Sequence, residues 1–182
     1  MTDIQEGDLL FSFGELWRVI KYDGDGGYYR TRLLKRIKHT KAMDFLCLRS
    51  GNEPLLMLEV KDYGRGVQDT EKYRGVLVAV AEKVRDTLAG VIGGSCKADI
   101  PERNGFRDSY AKLSSPPRVI LFFRDLATPK RQQRQESQAK RSTLLKLLKT
   151  NLRWLTSDVA VVGLDDYSNF IRDLTVRKAP EK

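Results

Sequence analysis

The sequence predicts an α/β fold with a central mixed sheet, in the order helix-strand-strand-strand-helix-strand-helix-strand. Three observations carry this. Two short apolar runs, Lys41–Leu48 and Leu55–Lys61, flank the turn-rich Arg49-Ser50-Gly51-Asn52-Glu53-Pro54 and read as a hairpin. A long stripe at helical spacing follows: Tyr73, Val76, Leu77, Val80, Val84, Leu88 and Val91, ending at Gly93-Gly94. Two later apolar runs, Val119–Phe123 and Val159–Leu164, suit buried strands and bracket a second helix.

Taken in order, the elements begin with a helix over about 9–22, because Leu9, Phe13, Leu16, Trp17 and Ile20 recur at helical spacing. Asp23-Gly24-Asp25-Gly26-Gly27 stops it. Tyr28–His39 reads as a basic edge strand, which starts the three-stranded meander. After the stripe helix, 95–117 has no clear period and reads as a long loop. A helix over about 129–155 carries Leu144, Leu148, Leu152 and Leu155 toward the core. Tyr167–Leu174 reads as a short helix, and 176–182 as a frayed tail.

At 182 residues, with 41% hydrophobic and 31% charged, the chain suits one globular domain over 1–182. No apolar run is long enough to span a bilayer, and the first residues have neither a basic nor an apolar leader region, so a cytoplasmic location and no membrane partner are expected. The two cysteines, Cys47 and Cys96, support neither a disulfide framework nor a cysteine zinc site. The formal charge of +9 favours phosphate backbones or acidic surfaces.

Chemistry concentrates on the hairpin. Glue for a reactive site comes from Asp44 in the first apolar run and Glu59-Val60-Lys61 at the end of the second. In a strand, Glu59 and Lys61 project to one face. A carboxylate and an ammonium at a buried strand end are costly unless they pair, bind a metal or do chemistry. The bland reading is a surface ion pair at a strand end, since Glu-x-Lys is a common tripeptide.

An acid on one strand, then Glu-x-Lys on the next, within this element order, resembles the PD-(D/E)xK nuclease superfamily and its restriction-endonuclease-like fold. Met43 stands where that family usually carries proline. The resemblance implies a metal-dependent nuclease acting on DNA, with RNA left open, in which Asp44, Glu59 and Lys61 are catalytic. Asp44, Glu59 and the Val60 carbonyl would hold Mg²⁺, with Mn²⁺ as a substitute, because such hard ions take oxygen ligands. Glu15, the acid within the first helix pattern, would add to that shell. Lys61 would orient water and offset charge on the phosphoryl oxygens. Gln68 and Lys72, early on the following helix, would reach substrate phosphate, and a homodimer would suit cutting of both duplex strands.

Arg30, Arg32, Lys35, Arg36, Lys38 and Lys41 lead into the proposed site and form the expected phosphate-gripping surface. Lys130, Arg131, Arg134, Lys140, Arg141, Lys146, Lys149 and Arg153 read either as a helix that contacts a nucleic-acid backbone or, slightly favoured, as a solvated helix face opposite the leucine stripe. His39 is the sole histidine and sits among lysines, so no Ser-His or Cys-His hydrolase is supported. The rival reading is a basic nucleic-acid-binding module or assembly subunit on the same fold without catalysis. A scaffold whose basic helix meets an acidic protein surface is a third.

Overall fold

A computed structural model describes residues 1–63, 70–97, 99–125 and 131–180. The chain opens with three strands, β1 (Thr2–Glu6), β2 (Leu9–Phe13) and β3 (Trp17–Lys21). A π-helical turn, Tyr29–Leu33, runs into the one-turn α1 (Leu34–Arg36). Then come β4 (Phe45–Arg49), β5 (Leu56–Tyr63), α2 (Thr70–Ser95), α3 (Arg103–Lys112), β6 (Arg118–Asp125), α4 (Arg131–Leu152), β7 (Val159–Val162) and β8 (Leu174–Lys178). The α/β class and the mixed central sheet are as expected. Among the described residues, no helix is long and apolar enough to cross a membrane.

Five strands form the central sheet in the order β3-β4-β5-β6-β7. The first three are an antiparallel meander, with Val19 opposite Cys47 and Phe45 opposite Leu58. β6 and β7 then join in parallel, with Glu59 opposite Leu121 and Leu121 opposite Val161. A separate antiparallel sheet, β1-β2-β8, covers one face.

Side-chain alternation explains these layers. One face of the central sheet presents Leu46, Leu48, Leu55, Met57, Val119, Leu121, Phe123, Val159 and Val161 to Leu77, Val80, Val84 and Val91 of α2 and to Leu144, Leu148 and Leu152 of α4. The other presents Phe45, Cys47, Leu56, Leu58, Val60, Ile120 and Phe122 to Leu9, Phe11 and Phe13 of β2 and Leu174 and Val176 of β8. The order is helices, five-stranded sheet, three-stranded sheet. Phe11 seals the second core, with its ring centroid 5.6 Å from Phe45 and 5.3 Å from Phe122.

Five expectations are corrected. The helix over 9–22 is two strands, β2 and β3, joined by a turn in which Trp17 N donates to the Gly14 carbonyl at 3.0 Å. The buried positions Leu9, Phe11 and Phe13 alternate along β2, so a period of two wins over the helical spacing of a subset. The strand over 28–39 is the π-helical turn and α1. Its buried side chain is Tyr29, whose hydroxyl donates to the Thr40 carbonyl at 2.6 Å, and its arginines and lysines point to solvent. The loop over 95–117 contains α3, pinned by buried Phe106. The tail contains β8, which pairs with β2 through Phe11 opposite Val176, and the short helix before it is a single 3₁₀ turn, Tyr167–Asn169.

α2 closely approaches the segment between β3 and α1 at Gly90. A Cβ there would lie 1.9 Å from the Tyr22 hydroxyl and 3.2 Å from Leu33 Cδ2. Gly90→Ala is therefore expected to lower stability by about 1–3 kcal/mol through overpacking, despite alanine's better helix propensity. Urea unfolding checks this: an unchanged or raised midpoint would contradict the close contact.

Candidate functional site

The site forms where β4 ends its pairing with β5. The last opposed pair on that side is Phe45 with Leu58, so Asp44 and Glu59 lie one step beyond it. Asp44 leaves the ladder, and its side chain takes over. Asp44 Oδ2 accepts a hydrogen bond from Val60 N at 2.6 Å, while its own carbonyl accepts from Tyr22 N at 2.9 Å. The first bond satisfies a buried amide that has lost its strand partner.

Glu59 shares its face of β5 with Leu55 and Met57, so its side chain points under the helices. It is 0% exposed. An ionised carboxylate there needs compensation. Its Oε1 receives it from two ammoniums, Lys61 Nζ and Lys83 Nζ, each at 2.6 Å. Lys83 also lies 3.4 Å from Asp44 Oδ1, so it bridges the two carboxylates. Glu59 Oε2 is buried with no hydrogen-bond partner among the described residues. Burial, and then the charge of Asp44, push the Glu59 carboxyl above its ordinary range, against the pull of Lys83 and Lys61. Burial alone would depress Lys83, but Glu59 and Asp44 outweigh it and hold the ammonium above the usual lysine value.

α2 fixes this geometry by reading the backbone ahead of β4. Thr87 Oγ1, fully buried, accepts from Met43 N at 2.9 Å. Asp86 Oδ2 accepts from Lys41 N at 2.9 Å, and Glu82 pairs with the Lys41 ammonium. Glu82, Lys83, Asp86 and Thr87 thus occupy successive turns of one helix face, and Asp44 is held between them and β5.

A further acid stands behind Asp44. The Asp23 carboxyl is raised by burial and by the charge of Asp44, and Lys21 opposes that rise. Lys21 pairs with Glu6, lies 3.5 Å from Asp23 Oδ1, and sits 5.1 Å above the Phe45 ring.

The other expected residues divide clearly. Asp44, Glu59 and Lys61 come together, and Lys61, with its side chain 27% exposed, is the member that solvent reaches most readily. Glu15 is not with them. It lies exposed in the β2–β3 turn, at the end of β3 opposite Lys21, because the helix meant to present it does not form. Val60 enters through its amide, and its side chain packs in the other core. Arg30 approaches through a 3.0 Å hydrogen bond to the Asp23 carbonyl. Arg32 pairs with Asp99 at 3.0 Å, and Lys35, Arg36 and Lys38 are exposed around α1. Gln68 lies outside the described residues; Lys72 lies on α2. Lys146 and Lys149 on α4, and Arg153 just past its end, face solvent as expected. Arg141 departs from that face: it is buried and bonds Asp165 through both of its terminal nitrogens, at 2.6 and 2.8 Å.

No protein-family model, curated protein or solved structure matches this chain. Function therefore rests on the site itself.

Lys83 is the residue that pattern reading missed. Its signal was present: Lys83 and Thr87 are polar positions beside Val80 and Val84 on the buried stripe of α2. A polar residue on a core-facing stripe needs a partner inside the fold.

The Thr87 contact yields a stability test. Thr87→Val keeps the shape and removes the acceptor, leaving the Met43 amide unsatisfied at a cost of about 1–3 kcal/mol. Thr87→Ser is expected to recover most of it. Equal urea midpoints for wild type and Thr87→Val would show that α2 does not anchor this segment.

Proposed function

We propose that this chain is a metal-dependent nuclease of the PD-(D/E)xK type that hydrolyses phosphodiester bonds in DNA, with RNA open to the same chemistry. One observation supports the reading above the others. Asp44 and Glu59 lie side by side across the open end of the β4–β5 pairing, with Lys61 two residues beyond Glu59 and bonded to it.

The residues fit a hard divalent cation. Asp44 Oδ2 is taken by Val60 N and Glu59 Oε1 by the two lysines, which leaves the unpartnered Glu59 Oε2 and Asp44 Oδ1, which Lys83 Nζ meets at 3.4 Å. Among the described residues no group of three or more His, Cys, Asp or Glu could hold a metal ion. Two carboxylates nevertheless suffice for Mg²⁺ at a phosphate site, because such ions keep several waters and take the remaining ligands from substrate. Mg²⁺ or Mn²⁺ would be held by Asp44 and Glu59 and, when bound, would polarise the phosphate and acidify water.

The protein's own groups do the rest. Asp44 is fixed by the Val60 amide through Oδ2, so its other oxygen, Oδ1, is preorganised. Burial keeps water from competing for Glu59. Lys61, at the exposed edge of the cluster, offsets charge that builds on the phosphoryl oxygens and orients the attacking water. Arg30, Lys35, Arg36 and Lys38, exposed around α1, supply long-range attraction for the backbone.

The rival, a nucleic-acid-binding module without catalysis, draws on a specific observation too: both ammoniums already neutralise Glu59. Plasmid and single-stranded DNA incubated with Mg²⁺, Mn²⁺ or EDTA separate the readings. Wild type is expected to cleave with either ion and not in EDTA, and Lys61→Ala and Glu59→Gln are expected to lose about a hundredfold or more. Cleavage that survives EDTA and both substitutions would refute the assignment. Salt-sensitive binding with no cleavage under any ion would establish the rival.

A further inference from the structure

We propose that Lys83 is a built-in counter-cation that occupies the position between Asp44 and Glu59 and competes with a divalent ion for it. The inference deepens the nuclease reading and rests on it for its biological meaning, but its physical content stands on the cluster alone.

Charge balance points to Lys83. Asp44 and Glu59 are buried, at 4% and 0% exposure, and face two ammoniums. The four groups are near neutrality. Adding a divalent cation would leave a net positive charge in a poorly solvated space, which is unfavourable unless an ammonium withdraws. The two lysines are not equivalent. Lys61 bonds Glu59, whereas Lys83 contacts both carboxylates, at 2.6 and 3.4 Å, as a shared cation would. Lys83 is also the less exposed of the two, with 19% of its side chain accessible against 27% for Lys61. Its four-carbon stem projects from α2, not from the sheet, so it can move without disturbing the β4–β5 geometry. Glu59 Oε2 remains the buried oxygen that the lysines leave unpartnered.

The consequence is a latch. Without a divalent ion, Lys83 holds the carboxylates together and keeps the buried charge stable. With one, Lys83 must leave its bridging position, and an incoming phosphate is the natural anion to receive it. Divalent-ion affinity is then set as much by Lys83 as by the carboxylates, and by linkage phosphate and ion promote each other's binding.

The test measures ion binding directly, by titrating the 182-residue chain with Mn²⁺ and reading free Mn²⁺ by electron paramagnetic resonance. Lys83→Met, which keeps the apolar stem, and Lys83→Gln, which keeps a neutral donor, are compared with wild type after circular dichroism confirms the fold. Both are expected to bind Mn²⁺ at least about fivefold more tightly. The gain is expected to vanish when Asp44→Asn is added to Lys83→Met. Unchanged or weaker affinity in both variants, or no binding by any protein, overturns the proposal. So does a gain that persists with Asp44→Asn, because it would reflect net charge and not this site. The outcomes separate from those of the nuclease reading. A wild type that cleaves DNA while both variants bind Mn²⁺ as wild type does keeps the nuclease and removes the latch. Tighter Mn²⁺ binding in a protein that never cleaves keeps the latch and removes the nuclease.

Discussion

A carboxylate with no solvent access, set in the middle of a sheet, is the constraint on which the rest of this structure depends. Glu59 sits where a Leu or Val would pack, on the face that carries Leu55 and Met57 toward the helices. Such a group is tolerated only when cations and donors reach it. The fold meets that requirement twice over, with Lys61 from the same strand and Lys83 from α2. Removing either partner alone leaves the other, so the arrangement is robust while remaining open to an additional ligand at Oε2.

The apolar architecture serves that point. β5 is the third strand of five, so Glu59 has Asp44, just ahead of β4, on one side and β6 on the other. The β1-β2-β8 sheet closes the face behind it with Phe11 and Phe13 against Phe45 and Phe122, aromatic side chains whose burial contributes about 1.5–3 kcal/mol each. The helices close the face in front. What stays polar is the narrow seam between the end of β4 and the middle of α2, where Asp44, Glu59, Lys61, Lys83 and Thr87 converge. The masking of backbone amides by side chains, Val60 by Asp44 and Met43 by Thr87, lets the ladder stop there without leaving buried donors unpaired.

How legible each part was depended on whether its pattern had competition. β4, β5, α2, β6, α4 and β7 were readable because their runs are long or purely apolar and their ends carry Gly, Pro or turn clusters. Leu9–Tyr22 was not, because two short strands joined by a tight turn place Leu9, Phe13, Leu16, Trp17 and Ile20 at intervals that imitate a helix. Phe11 and Val19, which that helix left unexplained, are the residues that argue for strands. β8 was hidden for another reason: Val176 is buried only because β2, far off in sequence, lies beside it. At the site, Asp44, Glu59 and Lys61 could be recognised from spacing along two adjacent strands. Lys83 could not be paired with them without knowing that α2 crosses over the end of β4. Glu15 was misplaced along with the helix expected to carry it.

If the space between Asp44 and Glu59 is a cation position that Lys83 holds until a divalent ion replaces it, crystals will show the exchange. Crystals grown with Mn²⁺ can be read for anomalous scattering. A peak bounded by Asp44 Oδ1 and Glu59 Oε2 is expected, with the Lys83 ammonium moved off both carboxylates. Well-ordered crystals with no peak at that point, and Lys83 still bridging Asp44 and Glu59, would contradict it.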